Sequence, residues 1–133
     1  MIRFKPYNAN PKGKKTSDCV TRALASVLDC DWQDALLLQY QTASKTGWAM
    51  NDKRTEDKIL KQYGYVKQKQ PKKADGSKYT LRELDKLTDV YSYPVYVTVQ
   101  GHATCVLTGI VYDTWDCRDY VIRNYWIYEG EEK

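Results

Sequence analysis

The hydrophobic pattern of this 133-residue chain changes its period near Pro94, and this change most constrains the fold. Upstream of Pro94, apolar residues recur at steps of three and four, which predicts amphipathic helices. The first such stripe consists of Val20, Ala23, Leu24, Val27 and Leu28. Downstream, apolar residues alternate with others at Val95, Val97 and Val99, which is the period of a strand. Helices followed by strands predict an α+β protein in which N-terminal helices pack on a C-terminal antiparallel β-sheet.

Capping and turn residues predict where these elements begin and end. The first helix is expected to start at Thr16 or Ser17, after an extended lead-in over residues 1–15. The later helices are expected from Asp31 to Thr46-Gly47, over residues 52–63 before Gly64, and after a cap at Thr80. Further strands are predicted over residues 65–67, 102–108, 110–115 and 121–128. No repeat or internal boundary is visible, so residues 1–133 are predicted to form a single domain.

Composition narrows the classes of protein and site. No apolar stretch reaches the length of a membrane span, and the N-terminus lacks the apolar run of a signal peptide. We therefore expect a cytoplasmic protein that does not bind membranes, whose four cysteines are reduced thiols. There is one histidine and no pair of cysteines separated by two residues, so no metal site is expected. No organic cofactor is expected.

Two basic segments raise the possibility of nucleic-acid binding. They are residues 12–15 and 67–78, and tyrosines near the second could stack on bases. The formal net charge is only +4, and no nucleic-acid-binding motif accompanies the segments. Solvated surfaces are the favoured interpretation, and nucleic-acid binding is kept as a third alternative.

A predicted hairpin brings the only histidine close to an aspartate. Thr108-Gly109 has the composition of a two-residue turn, which would pair Leu107 with Ile110. Continuing this register places His102 and Asp113 on the same face as diagonal neighbours. Asp116 falls on the opposite face, so the geometry selects Asp113, and a slip of one residue would reverse that choice.

Cys19 completes a candidate catalytic group because it lies in the first turn of the first predicted helix. The helix dipole and a nearby imidazolium lower the pKa of such a thiol, and its backbone N–H can stabilise an oxyanion. A carboxylate on one ring nitrogen would orient His102 to accept the thiol proton. The alternative is that Cys19 is a buried packing residue and His102 a hydrogen-bonded polar residue. The other three cysteines are interpreted as packing residues.

The motifs Ser17-Asp18-Cys19-Val20, Gly101-His102-Ala103 and Asp113-Thr114-Trp115 together resemble those of papain-like cysteine peptidases. The chain is similar to small domains of this kind from bacteria and phages, including bacteriocin-processing peptidases, which have aspartate where papain has asparagine. The resemblance implies a papain-like fold and a thiol hydrolase or acyltransferase that cleaves a peptide or isopeptide bond. Cys19 would be the nucleophile, His102 the base and Asp113 its orienting carboxylate, with Trp115 shielding the base. A phage-encoded protein would act in the host cytoplasm on a peptide or protein substrate.

One position departs from that family. Gly13 stands where these peptidases carry a glutamine that stabilises the oxyanion. Asn10 is the favoured substitute donor, with Asn8 and the side chains of residues 12–15 as alternatives. The departure leaves a second hypothesis open, a catalytically degenerate interaction protein that binds and inhibits a host factor.

Tryptophans are the predicted substrate-binding residues. Trp48, in the loop Gly47-Trp48-Ala49, and Trp115 are expected to line the substrate groove, whereas Trp126 is more readily a core residue. The sequence leaves the oligomeric state open.

Overall fold

The computed structural model describes residues 1–130, which form helices packed against one β-sheet. The α-helices are α1 (Cys19–Val27), α2 (Trp32–Thr46) and α3 (Lys53–Gln62), and a 3-10 helix spans Leu81–Lys86. The strands are β1 (Arg3–Pro6), β2 (Tyr65–Gln68), β3 (Val95–Val99), β4 (His102–Leu107), β5 (Ile110–Asp113) and β6 (Ile122–Tyr128). The α+β class is confirmed. Within residues 1–130, no helix has the length and apolar character needed to cross a membrane.

Most helix ends follow the local signals in the sequence. Asp31 takes the N-cap of α2, and Gly47 ends that helix in a left-handed conformation with φ 79°. Thr80 and Glu83 form a capping box at the 3-10 helix. The predicted start of the first helix at Thr16 or Ser17 is wrong, because the N-cap is Asp18 and the helix begins at Cys19. The nucleophile candidate is therefore the first residue of the helix.

The sheet is mixed, which corrects the prediction of an antiparallel sheet. Its strand order is β1-β5-β4-β3-β6-β2, and β1 runs parallel to β5 while all other neighbours are antiparallel. Residues 3–6, predicted to lie in an extended lead-in, thus form an edge strand. Ile2 explains this pairing, since its side chain is fully buried in the core beside the first strand. The backbone N–H of Tyr7 extends the contact by donating to the carbonyl oxygen of Asp113 at 2.8 Å.

Apolar side chains cover both faces of the sheet. On one face, residues of α1 and α3 pack around Tyr96 and Trp126. On the other face, residues of the 3-10 helix, including Leu81 and Leu84, pack against alternate residues of β3. The central strand is therefore buried on both sides, and α1 is held rigidly against β3 and β4.

The β4–β5 hairpin has the predicted register. Leu107 pairs with Ile110 across a turn whose two residues, Thr108 and Gly109, both have positive φ. A side chain at Gly109 would meet the Tyr91 ring at 2.7 Å, so the turn also needs glycine for space. The strand β5 ends at Asp113, two residues earlier than predicted. The hairpin consequently sets the first residue of β4 beside the last residue of β5.

Candidate active site

Cys19 lies at an uncapped helix N-terminus. The side chain of Asp18, the N-cap residue, makes no capping hydrogen bond. Its carboxylate instead accepts hydrogen bonds from Arg22, Asn10 and Trp32. Within residues 1–130, the backbone N–H groups of Cys19 and the two following residues have no hydrogen-bond partner. Three donors at the positive end of the helix dipole thus remain available beside the thiol.

His102 links the thiol to Asp113. Its Nε2 atom lies 2.6 Å from Oδ2 of Asp113, and the imidazole and the Cys19 thiol line the same two pockets and interact electrostatically. The Trp115 ring packs against the imidazole, with centroids 4.7 Å apart and the ring planes inclined by 46°. Three predicted site residues, Cys19, His102 and Asp113, are therefore brought together, with Trp115 beside them.

The surroundings of Cys19 and His102 favour a thiolate–imidazolium pair. Burial raises the pKa of the Cys19 thiol, but its interactions with His102 and with the Ala103 backbone, together with the charge of Arg22, outweigh burial and leave the pKa lowered. Burial lowers the pKa of His102, but its hydrogen bond to Asp113 and its interactions with Cys117 and Cys19 outweigh this effect and raise the pKa to about 11. Transfer of the proton from the Cys19 sulfur to the His102 ring is therefore favoured, because the lowered thiol pKa stabilises the thiolate and the raised imidazole pKa stabilises the imidazolium.

Asp113 is held in place by donors other than histidine. Its Oδ1 atom accepts hydrogen bonds from Arg22 Nη1 at 2.9 Å and from the backbone N–H of Thr114 at 2.7 Å. Burial raises the pKa of Asp113, but the hydrogen bond from His102 is among the interactions that leave it lowered. The carboxylate is therefore ionised, fixed in orientation and able to stabilise the imidazolium.

Arg22 is a site residue that the sequence analysis missed. Its guanidinium bridges Asp113 and Asp18, with a nitrogen 2.9 Å from an oxygen of each carboxylate. It thereby ties the residue before the nucleophile to the residue that orients the base. The spacing of four residues between Asp18 and Arg22 on a helix could have indicated one half of this bridge. The other half depends on the packing of α1 against the hairpin.

Cys117 is a core residue, as its interpretation as a packing residue predicted, and it also reaches the site, which the sequence did not indicate. Its buried thiol donates a hydrogen bond to Oδ2 of Asp113 at 3.9 Å, and its sulfur lies within 4.8 Å of a ring nitrogen of His102. Within the described residues, His102, Asp113 and Cys117 form the only group of three metal-ligating side chains, with ligand atoms within 4.8 Å. A cation bound there would replace the 2.6 Å hydrogen bond and lie close to the Arg22 guanidinium. The group therefore suits hydrogen bonding to the base better than metal binding.

A groove passes over the Cys19–His102 pair and consists of two pockets. The first, of about 730 Å³, extends along residues 14–17 to Trp115, and we name it the Trp115 pocket. The second, of about 680 Å³, extends from Thr21 to Arg123 and Trp126, and we name it the Arg123 pocket. Both pockets include Cys19 and His102 in their walls. An extended ligand lying in the groove would therefore cross the thiol.

Asn10 and Trp48 lie outside the walls of both pockets. Asn10 is buried, and its side-chain amide donates to Asp18 at 3.2 Å. The guanidinium of Arg54 lies over the Trp48 ring, with its Cζ atom 4.7 Å from the ring centroid. Trp126 is buried and donates a hydrogen bond to Asp57. The predicted roles of Asn10 in the oxyanion site and of Trp48 in substrate binding remain predictions.

No protein-family model, curated protein or solved structure matches this chain. A proposal about its function therefore has to start from the chemistry of Cys19, His102 and Asp113 and from the groove that crosses them.

Proposed function

We propose that the protein is a papain-like thiol hydrolase or acyltransferase that acts on a peptide or isopeptide bond. The observation that carries the proposal is the group Cys19–His102–Asp113, in which His102 is hydrogen-bonded to Asp113 and the Cys19 thiol, whose pKa is lowered by His102, opens into a groove. A nucleophile, a base and a group that orients the base are the components that covalent acyl transfer requires.

The order of elements also supports a papain-like arrangement. The nucleophile begins the helix α1, the base begins the strand β4 against which that helix packs, and the orienting carboxylate ends β5. The segment Asp113-Thr114-Trp115 resembles the papain-like Asn-Ser-Trp. The Trp115 indole packs against His102, which is the position needed to shield the base from water.

In the proposed reaction, the Cys19 thiolate attacks the substrate carbonyl carbon and forms a carbon–sulfur bond. The negative charge moves to the carbonyl oxygen, which accepts hydrogen bonds from the free N–H groups at the start of α1. The imidazolium of His102 then gives its proton to the leaving amine as the carbon–nitrogen bond breaks. A thioester remains on Cys19.

The second half of the reaction regenerates the thiol. The ring of His102, now neutral, takes a proton from a water molecule or from an acceptor amine as that nucleophile attacks the thioester. The carbon–sulfur bond breaks, and the proton remains with the thiolate–imidazolium pair. Water gives hydrolysis, whereas an amine gives acyl transfer. The same side chains serve both outcomes.

Acylation by p-nitrophenyl acetate tests this proposal without knowledge of the natural substrate. Cys19 should release p-nitrophenolate in a burst and carry the acetyl group, which intact-protein and peptide mass spectrometry can locate. Cys30 provides a matched control because it is also a partly exposed thiol, but burial and the charges of nearby aspartates raise its pKa. The Cys30→Ser variant should keep the burst, and Cys19→Ser should lose it. A burst that survives in Cys19→Ser, or acetylation spread equally over the thiols, would refute the proposal.

A further inference from the structure

The positive charge of the protein is concentrated in the groove. Six cationic side chains line its two pockets: Lys14, Lys15, Arg22, Lys53, Lys67 and Arg123. Two acidic side chains line them: Asp18 and Glu56. The described residues 1–130 carry a formal net charge of +5, because Glu131, Glu132 and Lys133 together contribute −1 to the +4 of the whole chain, and the groove walls account for four of these five charges. The described residues outside the groove walls therefore carry a formal net charge of only +1.

The two acidic residues are turned into the protein and offer little negative charge to a ligand. Asp18 is buried and bonded to Arg22 and Trp32. Glu56 is buried and accepts a hydrogen bond from the Tyr96 hydroxyl at 2.6 Å. Burial raises the pKa of Glu56 in spite of that hydrogen bond. A ligand in the groove therefore meets mainly cations.

Five of the cations are exposed, and they flank the thiol on both sides. Lys14 and Lys15 lie in the Trp115 pocket, and Lys53, Lys67 and Arg123 lie in the Arg123 pocket. Within residues 1–130 none of the five has a carboxylate oxygen within ion-pair distance, unlike Arg54, Lys73 or Arg118 elsewhere on the surface. Charges of one sign in a cleft add their potentials and attract ligands of the opposite sign.

We propose that the groove selects peptide segments with acidic side chains on both sides of the bond that Cys19 attacks. This inference rests on the proposed function, since the bond attacked is the one that acyl transfer would cleave. The cations of the Arg123 pocket bind carboxylates on one side of that bond, and Lys14 and Lys15 bind carboxylates on the other. The unpaired ammonium and guanidinium groups gain partners in the complex that they lack in the free protein.

Peptide binding to the Cys19→Ala variant tests this selectivity without any catalytic step. The probes are three fluorescein-labelled octapeptides in which glycine alternates with glutamate, glutamine or lysine, measured by fluorescence anisotropy. We expect the glutamate peptide to bind about tenfold or more tightly than the glutamine peptide at low salt and the lysine peptide to bind least. In 1 M NaCl, where the screening length falls to about 3 Å, the preference should largely disappear.

Matched charge variants locate the effect. Lys53→Gln, Lys67→Gln and Arg123→Gln, combined in the Cys19→Ala background, should remove most of the preference for glutamate. The control combines Arg3→Gln, Lys58→Gln and Lys78→Gln, which removes two lysines and one arginine from exposed positions outside the groove. That control should keep the preference, because it lowers the net charge equally without changing the groove.

The outcomes separate the inference from the proposed function. Equal affinity for the three peptides, or an equal loss in both triple variants, would overturn the acidic-peptide inference even if Cys19 acylates normally. Tighter binding of a labelled eight-nucleotide oligothymidine than of the glutamate peptide would overturn it in favour of nucleic acid. Failure of the acylation burst would refute the proposed function, and the anisotropy series would still report whether the groove selects acidic peptides.

Discussion

Replacement of Arg22 by methionine should both destabilise the fold and deactivate the thiol. The Arg22 guanidinium pairs with the carboxylates of both Asp18 and Asp113. Among the described residues, the only other cationic group that pairs with either carboxylate is His102, which pairs with Asp113. The side chain of Arg22 is 12% exposed, and those of Asp18 and Asp113 are 8% and 2% exposed. Methionine has similar volume but leaves two buried carboxylates without this partner.

The magnitude follows from the burial of these groups. Removing one member of a buried, hydrogen-bonded ion pair costs about 3–5 kcal/mol of unfolding free energy, because the remaining charge keeps its desolvation cost. For a domain of this size, that loss corresponds to a decrease in Tm of about 10–20 °C. The charge of Arg22 also contributes to the lowered pKa of Cys19, so this pKa should rise in the variant.

Urea unfolding followed by tryptophan fluorescence measures the stability change, and Arg54→Met is the matched control. Arg54 also pairs with an aspartate at 2.9 Å, but its side chain is 62% exposed, and exposed ion pairs contribute little. We expect a large loss for Arg22→Met, a smaller one for Arg22→Lys and almost none for Arg54→Met. Similar losses for Arg22→Met and Arg54→Met would refute the assignment of Arg22 as the buried link between α1 and the hairpin.

Three further predictions concern the base, its carboxylate and the core. Asp113→Ala should lower the rate of Cys19 acylation by about 10⁴-fold, because His102 loses the acceptor on Nε2, whereas Asp116→Ala should leave the rate nearly unchanged in the same assay. The wild type should exceed His102→Gln in unfolding free energy by the largest amount below pH 6.5, and this difference should decrease as the pH rises toward about 11, because folding raises the pKa of His102. Urea unfolding at a series of pH values measures the difference. An increase of the difference with pH would contradict the raised pKa. Leu84→Ala should cost about 2–5 kcal/mol in urea unfolding, since this leucine is fully buried beneath the sheet, and a cost below about 1 kcal/mol would contradict its place in the core.

Features set by neighbouring residues could be predicted from the sequence. The turn at Thr108-Gly109 fixes the hairpin register through two residues, and that register selected Asp113 over Asp116. The cap at Asp31 and the left-handed Gly47 likewise depend on local backbone chemistry. These local preferences predict the folded structure because the tertiary contacts favour the same backbone conformations.

Features that depend on distant contacts could not be predicted. The strand β1 is only four residues long, and its partner β5 lies more than one hundred residues later, so its pairing leaves no periodic signal. Arg22 reaches Asp113 across 91 positions of sequence, and Cys117 reaches the site because the chain turns back after β5. The role of Asp18 could not be predicted for the same reason. Its carboxylate accepts hydrogen bonds from three side chains and therefore does not cap the backbone N–H groups at the start of α1.

The pH dependence of Cys19 alkylation by iodoacetamide tests the central claim most directly. Mass spectrometry gives the rate at each thiol from pH 4 to 10 in the wild type and in His102→Gln, with Cys30 as the internal reference. We expect Cys19 to react with a midpoint below 9.0, the ordinary thiol pKa, and this midpoint should rise in His102→Gln. The Cys30 midpoint should stay above 9.0 in both proteins. A Cys19 midpoint at or above 9.0, unchanged by His102→Gln, would contradict the account that His102 activates Cys19.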